Sequence, residues 1–159
     1  STLESATYFV VVTDDATGCS TTESVIVGSM PIKPTIDPET GGSNVSDNSI
    51  CDFTAGPNGS ISIQVRFNGS IIANPESNGY SFTWYEGSGT GGQNITSSGS
   101  TNGSIPSGQT TSSISGLVGD FYTVVVQSPN GCSSDPQTFE VEDALVLPSI
   151  AITIVNQND

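Results

Sequence analysis

Three cysteines are the residues of this chain best suited to covalent chemistry. They are Cys19, Cys51 and Cys132, and the 159-residue sequence contains no histidine. Zinc sites usually combine cysteine with histidine or use C-x-x-C spacing, so these cysteines favour disulfide formation or buried free thiols over metal binding. The lack of histidine, with only Lys33 and Arg66 as basic residues, argues against acid–base catalysis near neutral pH. We therefore expect that the protein is not an enzyme.

Carboxylates are the other chemically capable groups. The 16 acidic residues give the chain a net charge of −14, which makes nucleic acid a poor partner and disfavours anionic membrane surfaces. Asp14 and Asp15 precede the proline-rich segment 31–34, and Asp37 and Glu39 follow it. Hard oxygen ligands gathered at such a joint could bind calcium. The alternative is a set of separate solvated carboxylates, and no other cofactor is expected.

Two copies of one phrase, about 114 residues apart, reveal the organisation of the chain. The first copy is Tyr8-Phe9-Val10-Val11-Val12-Thr13 followed by Gly18-Cys19-Ser20, and the second is Tyr122-Thr123-Val124-Val125-Val126-Gln127 followed by Gly131-Cys132-Ser133. The match continues downstream, where Val25 and Val27 correspond to Phe139 and Val141. A fixed period of this kind indicates an array of tandem modules.

The phase of the repeat predicts the module boundaries. We expect residues 1–30 to be the C-terminal part of a preceding module and residues 31–34 to be a proline-rich linker. Residues 35–148 then form one complete module, and residues 149–159 provide the first strand of a following module. About 115 residues are enough for a single two-layer core.

Short runs of alternating apolar residues predict an all-β fold. In residues 60–67 the side chains of Ile61, Ile63, Val65 and Phe67 fall on one face of a strand. Further inward-facing residues are expected at Tyr80, Phe82, Trp84, Ile114, Leu117, Tyr122, Val124, Val126, Phe139 and Val141. Glycine-, serine- and asparagine-rich turns separate these runs, which is typical of an antiparallel β-sandwich. Trp84 is expected to pack between the two sheets.

Module membership suggests how the cysteines pair. Cys51 and Cys132 are the only two cysteines within residues 35–148, so we predict that they form a disulfide, with free buried thiols as the alternative. Cys19 would then have its partner in the preceding module. Disulfides of this kind indicate an oxidising compartment.

The segment 86–112 is the outlier of the complete module. It is rich in glycine, serine, threonine and asparagine, and loops of this length are often functional or mobile. We expect a solvated loop, an irregular edge hairpin or an exposed contact surface. The residues predicted to form that contact surface are Tyr85, Glu86, Gln93, Asn94 and Asn102.

The repeated phrase resembles the G-x-Y-x-V-x-V-x-D-x-x-G-C pattern of SprB-type repeats, which occur in the gliding-motility adhesins and other giant surface proteins of Bacteroidetes. Gly119 to Val126 with Asn130-Gly131-Cys132 carries this resemblance, as do Tyr8 to Cys19, Asn58-Gly59-Ser60-Ile61 and Tyr80-Ser81-Phe82-Thr83-Trp84. The resemblance implies an immunoglobulin-like module, secretion through the type IX system, and a role in adhesion or gliding. It implies no catalytic residues.

Two functions remain after these exclusions. The leading expectation is a structural repeat segment of a long extracellular adhesin filament at the cell surface, with neighbouring modules, surface polysaccharide or abiotic surfaces as partners. The alternative is a carbohydrate-binding accessory module of a secreted multidomain glycosidase, in which Trp84 and Tyr85 would supply a sugar platform. No apolar run approaches the roughly 18–20 residues that a membrane-spanning helix needs, so direct membrane insertion is not expected.

Overall fold

Alternating apolar residues and glycine-rich turns give the chain an all-β fold. The structure is a computed structural model that describes residues 3–29, 31–52, 56–100 and 108–153. The chain divides into two compact units, Ser1–Ile32 and Lys33–Asp159, which we call unit 1 and unit 2.

Unit 1 is built around a β-hairpin. Strand β1 (Ala6–Thr13) pairs antiparallel with strand β2 (Ser20–Val27). Tyr8 lies opposite Val25, and Ala6 lies opposite Val27. Most side chains on both faces of this hairpin are exposed.

Unit 2 contains strands β3 to β12 among its described residues. Their bounds are β3 (Thr35–Ile36), β4 (Asn44–Ser46), β5 (Gly59–Ser62), β6 (Val65–Phe67), β7 (Ser70–Ile71), β8 (Ser81–Glu86), β9 (Gln93–Asn94), β10 (Ser113–Leu117), β11 (Asp120–Gln127) and β12 (Gln137–Val141). A one-turn helix, α1 (Ile95–Ser98), follows β9, and short 3-10 turns lie at Glu39–Gly41 and Pro75–Asn78.

Two sheets of unit 2 share one core. The first has the order β10-β5-β4, the second has the order β12-β11-β8-β9, and every strand pair within them is antiparallel. A third small sheet has the order β3-β6-β7. The core joins Ile61 and Ile114 of the first sheet to Trp84, Tyr122 and Val124 of the second. Removal of these apolar side chains from water is the main force that holds the sheets together.

The strand directions give unit 2 two distinct ends. The upper end carries the turn at 128–131 between β11 and β12, and the lower end carries the turn at 118–119 between β10 and β11. The ammonium group of Lys33 lies 3.0 Å from the carboxylate of Asp135, just before β12, so the chain enters unit 2 at the upper end. It leaves at the lower end, past Asp143. The eight residues of β11 separate these ends by about 23 Å.

The predicted alternation is confirmed in the core. Ile61, Ile63 and Val65 are buried, as are Phe82 and Trp84. The single strand predicted over residues 60–67 is divided into β5 and β6, because the chain passes there from the β10-β5-β4 sheet to the β3-β6-β7 sheet.

The strand expected near Ile150 is not formed in residues 149–153, and residues 154–159 lie outside the described part of the chain. A strand needs a partner for its backbone hydrogen bonds, and the described residues supply none to this segment. Residues 31–34, the predicted linker, have no regular secondary structure.

Candidate functional site

All three cysteines are free thiols, and the predicted disulfide between Cys51 and Cys132 is not formed. Cys132 lies at the upper end, where its carbonyl accepts a hydrogen bond from the N–H of Ser128. Cys51 lies three positions after Asn48, which bridges to Asp143 at the lower end. A disulfide needs Cα atoms within about 7 Å, whereas the two ends are about 23 Å apart. The fold therefore does not support this pairing.

Two of the calcium candidates lie in the hairpin turn of unit 1. Asp14 Oδ1 accepts hydrogen bonds from the backbone N–H groups of Thr17 and Ala16 at 2.9 and 2.8 Å, and these bonds lower the pKa of Asp14. Asp15 follows it in the same turn. The eight-residue strand puts this turn about 23 Å from Val27, where the chain leaves the hairpin. Hairpin geometry thus sets both carboxylates away from the linker that the calcium hypothesis requires.

The other two calcium candidates lie in unit 2 and have different surroundings. The carboxylate of Asp37 accepts from Arg66 Nε at 2.8 and 2.9 Å in a partly buried ion pair. Glu39 is exposed at the start of a 3-10 turn. Within the described ranges, no group of three or more His, Cys, Asp or Glu residues could hold a metal ion. The calcium hypothesis gains no support from this arrangement.

The predicted contact surface is only partly assembled. Tyr85 pairs with Asn94 and Glu86 pairs with Gln93 across strands β8 and β9. Gln93 is exposed and Tyr85 is partly exposed, but Glu86 is buried and cannot serve as a surface contact. The side chain of Asn94 caps α1 by accepting from the N–H of Ser97 at 3.1 Å. The remaining candidate, Asn102, lies outside the described residues.

The segment after β8 pairs with it through the edge strand β9, as the alternative of an irregular edge hairpin predicts. It is also bound to the core, contrary to the prediction of an uncommitted loop. Ile95 is fully buried in the hydrophobic core. The hydroxyl of Thr96 accepts from the N–H of Trp84 at 2.8 Å and donates to the carbonyl of Gln109 at 3.0 Å. The indole N–H of Trp84 donates to the carbonyl of Thr111 at 2.9 Å. Residues on both sides of the undescribed stretch 101–107 thus hold the only tryptophan of the chain in place.

An uncharged cleft of about 450 Å³ lies at the upper end of unit 2. The 3-10 turn at Pro75–Asn78 and the turn at 128–131 form its walls. Its lining comprises Phe67, Ile71, Ile72, Ala73, Asn78, Tyr80, Ser128, Pro129 and Asn130. The sequence assigned Tyr80 and Phe67 to the core, and both are in fact only partly buried. Alternation shows which side chains lie on the inward face, but it does not show how far along that face the core extends.

Each copy of the repeated phrase folds into its own β-hairpin, and the two hairpins have the same register. Tyr122 lies opposite Phe139, at the register where Tyr8 lies opposite Val25. The carbonyl of Cys19 accepts from the N–H of Asp14 at 2.8 Å, as the carbonyl of Cys132 accepts from Ser128 at 2.9 Å. Gly18 and Gly131, with φ of 72° and 79°, supply the left-handed conformation that each turn needs before its cysteine.

A buried polar node at the lower end was not predicted from the sequence. Asn48 is 1% exposed, and its amide donates to Asp143 Oδ1 at 2.8 Å. Its side-chain oxygen accepts from the N–H groups of Ile50 and Asn58, both at 3.2 Å. Asp143 Oδ1 also accepts from the N–H of Gly119 at 2.9 Å. The neighbours of Asn48 are serine and aspartate, residue types that are common in turns. The sequence therefore gives no sign that Asn48 is buried.

No protein-family model matches the chain, and no curated protein shows a significant match to it. In the part of the chain that the structure describes, no helix is long and apolar enough to cross a membrane.

Proposed function

We propose that this chain is a structural repeat segment of a long extracellular adhesin filament at a cell surface, acting in adhesion and in gliding motility. The observation that carries the proposal is the shared register of the β1–β2 and β11–β12 hairpins. A sequence period that is also a structural period is what a tandem array of modules requires. The resemblance to SprB-type repeats supports the same conclusion.

The repeating unit that we propose is an immunoglobulin-like module. The sheet orders β10-β5-β4 and β12-β11-β8-β9 resemble the E-B-A and G-F-C-C′ arrangements of such domains. The hydroxyl of Tyr122 donates to the carbonyl of Val118 at 3.1 Å, which resembles the tyrosine corner of that fold.

The hairpin of unit 1 supports the tandem arrangement. Val10 and Val12 are 57% and 60% exposed, whereas their counterparts Val124 and Val126 are fully buried in unit 2. In unit 2 the β10-β5-β4 sheet contributes to the core that buries this face. We infer that unit 1 is the final hairpin of a second module of the same kind.

Two features of the chain suit a spacer. The chain enters at the upper end and leaves at the lower end, so each module adds its own length to the array. The net charge of −14 repels neighbouring filaments at low salt, an effect that is screened beyond about 10 Å at 0.1 M.

Antibodies raised against unit 2 test the localisation. We expect them to label intact cells of the source organism and to decorate extended fibres in immunogold electron microscopy. An antibody against a cytoplasmic protein, which should label only permeabilised cells, is the control. Labelling by the unit 2 antibodies that also requires permeabilisation would contradict the proposal.

A carbohydrate-binding accessory module of a secreted multidomain glycosidase is the second candidate, and the uncharged upper-end cleft favours it. Tyr80 and Phe67 offer aromatic surface, and Asn130 offers an amide group. Asn78 offers its side-chain oxygen, since its amide nitrogen already donates to the carbonyls of Ala73 and Asn74. Neutral oligosaccharides tested by calorimetry should bind the wild type and lose binding in Tyr80→Ala if this candidate is right. Phe121→Ala, which removes an exposed aromatic ring at the lower end and outside the cleft, is the matched control and should bind as the wild type does.

A further inference from the structure

The first and last segments of unit 2 meet side by side at its lower end. The backbone N–H of Asn48 donates to the carbonyl of Glu142 at 2.9 Å, and the N–H of Ala144 donates to the carbonyl of Asn48 at 2.8 Å. The N–H of Glu142 donates to Asp47 Oδ1 at 3.0 Å, and the amide of Asn48 donates to Asp143 Oδ1 at 2.8 Å. We call these five residues, Asp47, Asn48, Glu142, Asp143 and Ala144, the terminal clamp.

The terminal clamp differs in direction from the rest of the fold. All the strand pairs of the described residues are antiparallel, and Asn48–Asp143 is the one parallel bridge among them. From β3 through β4 to Asn48 the chain runs from the upper end to the lower end, and β12 runs the same way to Asp143. The clamp therefore joins the segment that enters unit 2 directly to the segment that leaves it.

Tension on the two ends of the unit would load this clamp in shear. A pull on the entering segment draws Asn48 toward the upper end, and a pull on the leaving segment draws Ala144 the opposite way. The hydrogen bonds of the clamp run between the two segments, slanted as in a parallel pair, so this pull slides the segments past each other along their length. Bonds loaded this way share the force and must break together, whereas a hairpin pulled open at its end loses its bonds one at a time.

Three features make the clamp stronger than a bare backbone bridge. Asn48 is 1% exposed, so water cannot readily replace its bonds as they stretch. The bond from Asn48 to Asp143 involves a charged acceptor, a class about twice as strong as neutral pairs. Gly119 permits the approach of Asp143, because a Cβ at this position would lie 2.7 Å from Asp143 Cγ and 2.9 Å from Asp143 N.

We propose that the terminal clamp is the element of unit 2 that resists unfolding under tension, with Asn48 as its central residue. The biological use of this property rests on the proposed filament function, since only a tethered chain is pulled from both ends. The property itself belongs to unit 2 and can be measured without reference to the cell surface.

Single-molecule force spectroscopy of the whole 159-residue chain, held at constant force through its two ends, tests the proposal. The wild type should unfold unit 2 in one step. The stretch from Thr35 to Val141, about 107 residues, is then released and gives an extension on the order of 350 Å. Asn48→Ala should raise the unfolding rate at fixed force about tenfold, equivalent to about 1.4 kcal/mol of barrier. Asp47→Ala removes only the exposed side-chain bond to Glu142, so it should fold normally and raise the rate about threefold.

Two controls separate the clamp from ordinary stability. Asn78→Ala removes an exposed amide that bonds locally to Ala73 and Asn74, and it should leave the rate under force unchanged. Ile114→Val weakens the core away from the clamp. The deciding quantity is the factor by which the unfolding rate under force increases, divided by the decrease in the free energy of unfolding measured in urea.

The proposal requires this ratio to be several-fold larger for Asn48→Ala and Asp47→Ala than for Ile114→Val. Equal ratios, or clamp variants that unfold at the wild-type rate under force, would overturn it. Either result would leave the surface-labelling test of the filament function unaffected, so the two proposals can fail separately.

Discussion

The hydroxyl of Tyr122 donates a hydrogen bond to the backbone carbonyl of Val118 at 3.1 Å, across the turn that joins β10 to β11. The hydroxyl of Tyr8 makes the same bond to the carbonyl of Glu4 at 2.9 Å, again four residues upstream. Tyr122 is fully buried and Tyr8 is not. The repeat thus preserves a side-chain contact as well as a sequence phrase. The two copies differ in the burial of the tyrosine ring, which is complete only in unit 2.

Tyr122→Phe should destabilise unit 2 by about 1 kcal/mol, because the carbonyl of Val118 loses the hydroxyl that donates to it. Urea unfolding followed by the fluorescence of Trp84 measures the change. Tyr8→Phe is the matched control: it removes the equivalent bond in unit 1 and should leave the unit 2 transition where it is. A Tyr122→Phe midpoint equal to that of the wild type would show that this bond adds nothing to stability.

Alkaline pH should destabilise unit 2 through the same residue. Burial, reinforced by the negative charges of Glu86 and Asp120, raises the pKa of Tyr122 well above its ordinary value of 10.0. Below that ordinary value both the folded and unfolded states hold the proton, and stability is complete. Above it the unfolded state releases the proton first, so stability falls by up to about 1.4 kcal/mol per pH unit. Urea midpoints between pH 8 and 11 should show this loss, and Tyr122→Phe should remove most of the slope.

Ile95→Ala should cost about 2–5 kcal/mol, since it leaves a cavity in the core that the segment after β8 helps to fill. Ile71→Ala provides the comparison, because Ile71 is 53% exposed and its loss should cost well under 1 kcal/mol. Thermal and urea unfolding give both values. If Ile95→Ala proved as mild as Ile71→Ala, the segment would be the uncommitted loop that its composition suggests.

Alternation predicted most of the core of unit 2, because a strand with one buried face repeats every two residues and the repeat can be read from the sequence. Tyr122, Val124 and Val126 follow this rule, and all three are buried. Ile95 escaped prediction for the converse reason. It is a single apolar residue in a glycine- and serine-rich stretch, and one residue has no period.

The disulfide prediction is contradicted and the calcium prediction gains no support, because both depended on distances that a sequence does not give. Membership of one module suggested that Cys51 and Cys132 pair, but membership does not tell which end of a sandwich a residue occupies. The same limit applies to Asp14, whose turn lies at the far end of its hairpin from the linker. Asn48 was missed because its residue type is ordinary in turns, and only the meeting of two distant segments buries it.

Thiol mapping should find Cys51 and Cys132 unlinked in native protein isolated under alkylating conditions. All three cysteines are free, and Cys19 and Cys51 are exposed, so these two should react fastest with iodoacetamide. Cys132 is partly buried and should react more slowly until the protein is unfolded. Non-reducing peptide mapping gives the linkage. A peptide that joins Cys51 to Cys132 would require the two ends of unit 2 to be far closer than the fold allows.

Trp84 should resist an aqueous quencher in the native protein. It is fully buried between the sheets, and its indole N–H is bonded to the carbonyl of Thr111 at 2.9 Å. Because it is the only tryptophan, its emission reports this site alone. We expect blue-shifted emission with weak acrylamide quenching, and a red shift with strong quenching in urea.

Addition of a neutral oligosaccharide should leave the native emission of Trp84 unchanged, because a ring held between two sheets cannot stack on a sugar. Native quenching as strong as that in urea would instead place the indole at the surface, where a sugar platform becomes physically reasonable and the accessory-module candidate gains over the filament.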